Sequence, residues 1–473
     1  MRLKTSLITS IFRSALAPAS VREFQLRFAL WFYTTGMAFQ KAEHNSLMDA
    51  LRVITPFAVV PNRHQLATTL LDMCYDDLRS KLMLSAKGKR VTLTTDGYPT
   101  PTGRLSSTTC CSLRHPPCPD QLDFVTIAAV VTDNTATNRL VWSTLQQQKP
   151  NIFFHGCISH TVHLAVKDLV GRLPWLGKLT KDCRKLVRFL KSQQLWYQLK
   201  RLQCVEGKPS LGLPTETLWG TIKRYFSTVL ASEKIQHAFV SGRGFLRART
   251  KVQNTKRRHA CDTVVARDFV QQLEKAIKLL KVISKFQKAF ENNSKPPSEV
   301  YHMFLLLPEE FKKMEMPISE LDKIQQILDE RFNFVYGDAH GGAYLLCPRY
   351  LGQGMDQETR DSVQEFIANW QGSGEEEATT VGLVNYLGGQ RSTSLEVKLI
   401  RQKQLTVAQY WGGLSQFPLL HDIALTAFAS ACSSAAEKRT WAAQKFVHSQ
   451  ARNRLNDESV EKLDFPLLQR KEL

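Results

Sequence analysis

No apolar stretch in this chain of 473 residues approaches the roughly 18 residues that a membrane-spanning helix needs. The best candidate, Leu26 to Phe39, is broken by polar groups, so a protein threaded through a bilayer by helices is excluded. Ten cysteines scattered from Cys74 to Cys432 are too few for a disulfide scaffold, and no leader with a long apolar centre precedes them. A reducing compartment is the expectation. The chain has no internal repeat and no extended low-complexity segment. Acid is missing before Glu23, while Arg2, Lys4, Arg13 and Arg22 stand among serines. That composition suits an organelle-targeting peptide, and equally a basic tail or a start placed inside a longer ancestral chain.

What is present describes a folded protein, with 43% hydrophobic, 9% aromatic and 22% charged residues. Two or three domains are expected at roughly 100–200 residues per domain. The formal charge of +20 is unevenly spread, since twenty basic residues against four acidic ones fall between Gly171 and Ala260. Arg243, Arg247, Arg249, Lys251, Lys256, Arg257 and Arg258 form a cluster there, and Trp196, Tyr197, Trp219, Tyr225 and Phe245 are interleaved with the block. Concentrated cations gain free energy by releasing counterions from phosphates, and aromatic rings offer stacking faces, so nucleic acid is the natural partner. A solvated helical face, or a nuclear import signal at Lys256 to Arg258, is the plainer alternative.

Periodicity divides the chain. Residues 1–85 read as a helical N-terminal region, with Leu66, Leu70 and Met73 at helical spacing. Arg90 to Thr95, Phe124 to Thr132 and Asn151 to Ile158 read as three strands of a buried sheet. Helical segments at Asn134 to Gln147 and Ser159 to Val170 follow the second and third strands, the alternation of an α/β core. From Leu173 the pattern turns long and helical, as in Phe269, Leu273, Ile277, Leu280, Ile283, Phe286 and Phe290. Gly372 to Thr380 has the composition of a linker or exposed loop.

Three acids sit where elements begin or end. Asp96 closes the first expected strand, Asp133 closes the second, and Glu437 lies in Ser433-Ser-Ala-Ala-Glu-Lys. Carboxylates at neighbouring strand ends can hold paired Mg²⁺ or Mn²⁺ through oxygen, and paired metals stabilise both oxygens of a phosphoryl displacement. The bland reading is turn chemistry at Asp96-Gly97 and Asp133-Asn134, and a capping box at Ser434 to Glu437.

The residues Thr95-Asp96-Gly97-Tyr98, Asp133-Asn134 with Asn138, Gly156-Cys157 with His160, and His163-Leu164 resemble the hAT superfamily of DNA transposases. Pro297-Ser298 with Val300-Tyr301, and Arg331-Phe332, His340 and Pro348-Arg349, extend the likeness through the middle. Trp411, Phe417-Pro418-Leu419, Ser433 to Glu437, Phe446-Val-His448 and Arg452 to Leu455 carry it to the end, so that residues 60 to 465 are covered. The resemblance implies an α/β RNase H-like core, mostly helical overall, interrupted by a large all-α insertion. It assigns residues 86–172 to the first part of the core, 173–410 to the insertion, 411–465 to a dimerisation region completing the core, and 466–473 to a tail. It further implies a catalytic, metal-binding triad of Asp96, Asp133 and Glu437, using Mg²⁺ or Mn²⁺ to cut DNA and transfer a strand. Dimerisation would fall to Trp411, Trp441, Phe446 and Leu455. The expected partners are DNA and a second copy of the chain, with neither a membrane nor a small-molecule substrate, in the nucleus.

Several features depart from the family pattern. Pro99 to Asp123 is 25 residues long, where two further strands and a helix need roughly 35 to 40 residues between the aspartates. Its prolines argue against a central strand, so a reduced sheet with an exposed edge is expected. Leu218 stands before Trp219 where the family carries Arg-Trp, and no zinc-finger set precedes residue 60. The chain therefore reads as N-terminally truncated and partly degenerate, and a catalytically inactive, domesticated DNA-binding and dimerising protein is the alternative. Cys157-x-x-His160 lacks the second pair that a four-ligand zinc site needs, so a structural role in the core is expected there, and zinc is not.

Overall fold

The computed structural model describes residues 17–54, 59–99, 105–111, 124–212, 221–242, 245–246, 250–291, 295–389, 394–434 and 457–468, with 96–99 and 105–111 defined in backbone course only. Most of these residues are helical. A four-stranded sheet has the order β2-β1-β3-β4, with β1 at Arg90–Pro99, β2 at Leu105–Cys111, β3 at Thr126–Thr132 and β4 at Phe153–Gly156. The strands β1, β3 and β4 form its parallel part, and Ala129 to Thr132 of β3 align with Phe153 to Gly156 of β4. No helix among the described residues is long and apolar enough to cross a membrane.

Contacts divide the chain into two units. The first comprises residues 1–91, 96–126 and 436–473. In it the helices α1 (Pro18–Thr35) and α2 (Thr69–Ala86) bury Ala29, Phe32, Tyr33, Leu70, Leu71 and Cys74 against Val460 and Leu463 of the C-terminal helix Asp457–Leu468. Lys462 adds an ion pair to Asp72 at 2.7 Å. Most of the described residues between 18 and 86 are helical.

The second unit, residues 92–95 and 127–435, contains β3, β4 and the bulk of the helices. After β3 comes α3 (Ala136–Gln148), and after β4 come α4 (Ile158–Arg172) and α5 (Pro174–Leu190). Proline opens α5 at a position where its missing N–H costs nothing, and Leu176, Leu179, Cys183, Leu186, Val187 and Leu190 form its buried stripe. The helices α6 (Lys251–Val265) and α7 (Phe269–Glu291) pack with it, and α7 buries Phe269, Leu273, Leu280, Ile283 and Phe290 as their spacing predicts. A second core gathers Tyr344 of α8 (Asp338–Leu346), Tyr386, Trp411, and Leu420, Ile423 and Ala424 of α9 (Pro418–Ala429).

Two local expectations are corrected and one strand is added. The first strand does not close at Asp96 but continues to Pro99. A further strand, β2, occupies part of the stretch between Pro99 and Asp123, where the prolines argue against a central strand only. It is an edge strand, which needs pairing on one side only; its Ser-Ser-Thr-Thr run suits extended backbone, and the prolines lie outside it. Finally, the loop expected at Gly372 to Thr380 gives way at Glu376 to the helix Glu376–Gly389, whose Thr379 is buried.

Candidate functional site

The carboxyl end of β3 organises the best-defined polar constellation. Asp133 follows its last residue, and the Asn138 side-chain amide donates to both the carboxylate and, at 3.2 Å, the main-chain oxygen of Asp133. Thr135 caps α3 by accepting from the Asn138 N–H at 3.3 Å, which aims Asn138 back at the strand end. Thr132 accepts from the Trp142 indole at 3.1 Å and donates to the Asp133 carbonyl at 2.8 Å. The neighbouring Asn134 is buried and donates to Thr161 Oγ1 at 2.8 Å. A Cβ at Gly156 would lie 2.2 Å from Asn134 Oδ1, so glycine is required there by close approach.

Cys157 links three elements. Its N–H donates to Thr132 O at 2.8 Å, extending the β3–β4 ladder, and it stands at the N-cap of α4. Its sulfur accepts the Ser434 N–H at 3.2 Å. Beside it the Ser159 and Ser433 hydroxyls pair at 2.7 Å, and the Ile158 N–H donates to Cys432 O at 2.9 Å. At β1, Thr92 Oγ1 accepts the Ala431 N–H at 2.8 Å and donates to Ala429 O at 3.2 Å. Residues 429–434 are thereby seated from β1 to the start of α4, ending three residues before Glu437. The sequence pattern singled out Cys157 and the Ser433 to Glu437 motif but not Ser159, and nothing in local spacing showed that they meet.

Below this end of the sheet two buried histidine rings meet edge to face, His155 of β4 and His340 of α8, with centroids 5.0 Å apart. Burial pushes the His155 pKa down to about 4. Burial, with His155 beside it, pushes that of His340 down to about 3. The Gly337 N–H donates to His340 Nδ1 at 3.1 Å, which fixes that nitrogen as an acceptor.

The other expected site residues are placed as follows. Asp96 lies within β1, its side chain outside the described set, and Glu437, Trp219, Arg243, Arg247, Arg249, Trp441, Phe446 and Leu455 are also outside it. His160 is half-buried on α4, one turn from Cys157. Among the described residues no three His, Cys, Asp or Glu side chains form a group that could hold a metal. Lys251, Lys256 and Arg258 are exposed on α6, whereas Arg257 is half-buried, bonded to the Phe245 carbonyl at 2.7 Å and lying over its ring. Two of the expected stacking faces are corrected, since Tyr225 and Phe245 are core residues. Tyr197 is 75% exposed, and Trp196 is half-buried with the Lys191 ammonium 5.1 Å from its centroid. Trp411 is fully buried, its ring tilted against that of Tyr386 with centroids 4.8 Å apart and its indole N–H donating to Leu346 O at 3.0 Å, so its work within the protomer is core packing.

A family model, the hAT family C-terminal dimerisation region, matches residues 391–465. No curated protein matches the chain. The chain thus carries a hAT dimerisation region, which supports a hAT transposase-like protein that self-associates.

Proposed function

We propose that this protein is a hAT transposase-like, DNA-binding nuclear protein with an RNase H-like core, in which Asp96, Asp133 and Glu437 hold Mg²⁺ or Mn²⁺. Carboxylate oxygens are hard donors suited to these ions, and such ions, when bound, supply electrostatic stabilisation for phosphodiester cleavage and strand transfer. The chain's own part is to hold the donors. Asn138 orients the Asp133 carboxylate at a parallel strand end, and that seating is the observation that carries the reading. The anchoring of Ser433 and Ser434 just before Glu437 supports it. DNA contact is assigned to the exposed cations of α6, together with Arg243, Arg247, Arg249 and Trp219, and self-association to the C-terminal region with Trp441, Phe446 and Leu455.

A second reading rests on the same contact. If the Asp133–Asn138 bond serves only to start α3, the protein is an inactive binding and dimerising descendant. Thermal melting with and without Mn²⁺ separates the two. Metal at a hundred times its dissociation constant stabilises a native state by about 2.7 kcal/mol. A rise in Tm that both Asp133→Ala and Glu437→Ala abolish is the expected result; a folded protein indifferent to Mn²⁺ removes the metal-dependent reading.

A further inference from the structure

A row of cations runs along α5. Lys178, Lys181, Lys185 and Arg188 recur at steps of three, four and three, all exposed on the side of the helix opposite Leu179, Cys183, Leu186 and Leu190. At about 1.5 Å per residue the row is about 15 Å long. The single acid of this helix, Asp182, reaches His259 of α6 at 3.8 Å. That contact sets the turn holding Lys181 and Lys185 beside the turn holding Lys256 and Arg258. Among the described residues no ion pair joins a carboxylate to Lys181, Lys185, Lys256 or Arg258. The helix α7 serves as the comparison, with its exposed Lys278 one turn after Glu274 and its Lys285 acting on Glu310.

The kind of partner follows from what accompanies the cations. Unstacked bases need exposed rings, and of the aromatics interleaved with this block Tyr225 and Phe245 are in the core, while the exposed Tyr197 lies on neither α5 nor α6. Straight rows of lysine without stacking faces match the phosphate ridge of a duplex, which fixes position but not sequence. We propose that α5 and the adjoining turn of α6 form a docking surface for duplex DNA, gripped through its phosphates irrespective of sequence. This deepens the DNA-binding part of the reading above and is independent of the metal triad.

The test measures the affinity of the full chain for a short duplex of arbitrary sequence over a range of salt concentrations. Wild type is compared with Lys178→Gln/Lys181→Gln/Lys185→Gln and with a charge-matched control on α7, Lys278→Gln/Lys281→Gln/Lys285→Gln. The α5 variant is expected to lower the slope of log affinity against log salt by up to about 3 and to weaken binding about tenfold or more, with the control changing little. Should the triple variant fold poorly, Lys181→Gln and Lys185→Gln singly should each lower the slope by about 1. An unchanged slope in the α5 variants, an equal loss in the control, or stronger binding to a single strand or to anionic vesicles overturns the proposal. Wild type that binds no duplex at all overturns it together with the DNA reading, while the Mn²⁺ melting result stands on its own.

Discussion

Side chains at the end of β3 and β4 are coupled through contacts too short to tolerate additions. Gly156→Ala would drive a methyl group into Asn134, which is held by Thr161, and overpacking of this kind costs about 1–3 kcal/mol. Urea unfolding should show the loss, and Asn134→Ala should relieve part of it in the double variant. The paired histidines give a pH signature. Both have folded pKa values held below the ordinary 6.5, so below that value the unfolded chain binds more protons and stability falls with pH. Each site contributes up to about 1.4 kcal/mol per pH unit between about 6 and 4. The urea midpoint should therefore drop across that window, and His155→Leu/His340→Leu should flatten the drop; equal steepness in the variant would assign the acid sensitivity elsewhere.

At the scale of elements, strand ends and helix starts are joined by single atoms. Cys157 holds the chain before Glu437 by accepting one N–H, so Cys157→Ser should keep that acceptor while Cys157→Ala loses it. Hydrogen exchange at Ser434 is the direct readout, faster in the alanine variant than in the serine one. Trp411 acts on a different element. Truncating it to alanine removes a fully buried indole and its hydrogen bond, with an expected cost of about 3–5 kcal/mol in unfolding experiments. Periodicity made most of these elements legible, as in α7, where a long apolar stripe repeats through six turns' worth of sequence. β2 was not legible, because an edge strand need not alternate and its seven residues carry no buried pattern in sequence.

For the whole molecule, the matched C-terminal region makes self-association the property to measure. Trp441→Ala and Phe446→Ala should each lower the mass measured by light scattering at dilute protein while leaving the urea midpoint close to wild type. Trp411→Ala should do the reverse, shifting the midpoint first, since its ring is spent inside the protomer. A stable monomer unchanged by any of the three would refute the assignment of the interface to this region. The charge of +20 belongs at this scale as well, since it steers any polyanion toward the protein before a particular row of lysines engages it.

Composition, helical spacing and the short apolar runs determined by themselves that the chain is mostly helical, that a small sheet begins near Arg90, and that positive charge concentrates between residues 171 and 260. These are local or additive properties, and a linear pattern carries them. Only the tertiary structure decided which aromatics of the basic block are core and which face solvent, because burial depends on the neighbouring helices. Only it brought Cys157 to Ser434 and His155 to His340. Partners separated by 277 and 185 positions leave no trace in local periodicity, since their contact exists only after the sheet and its helices have packed.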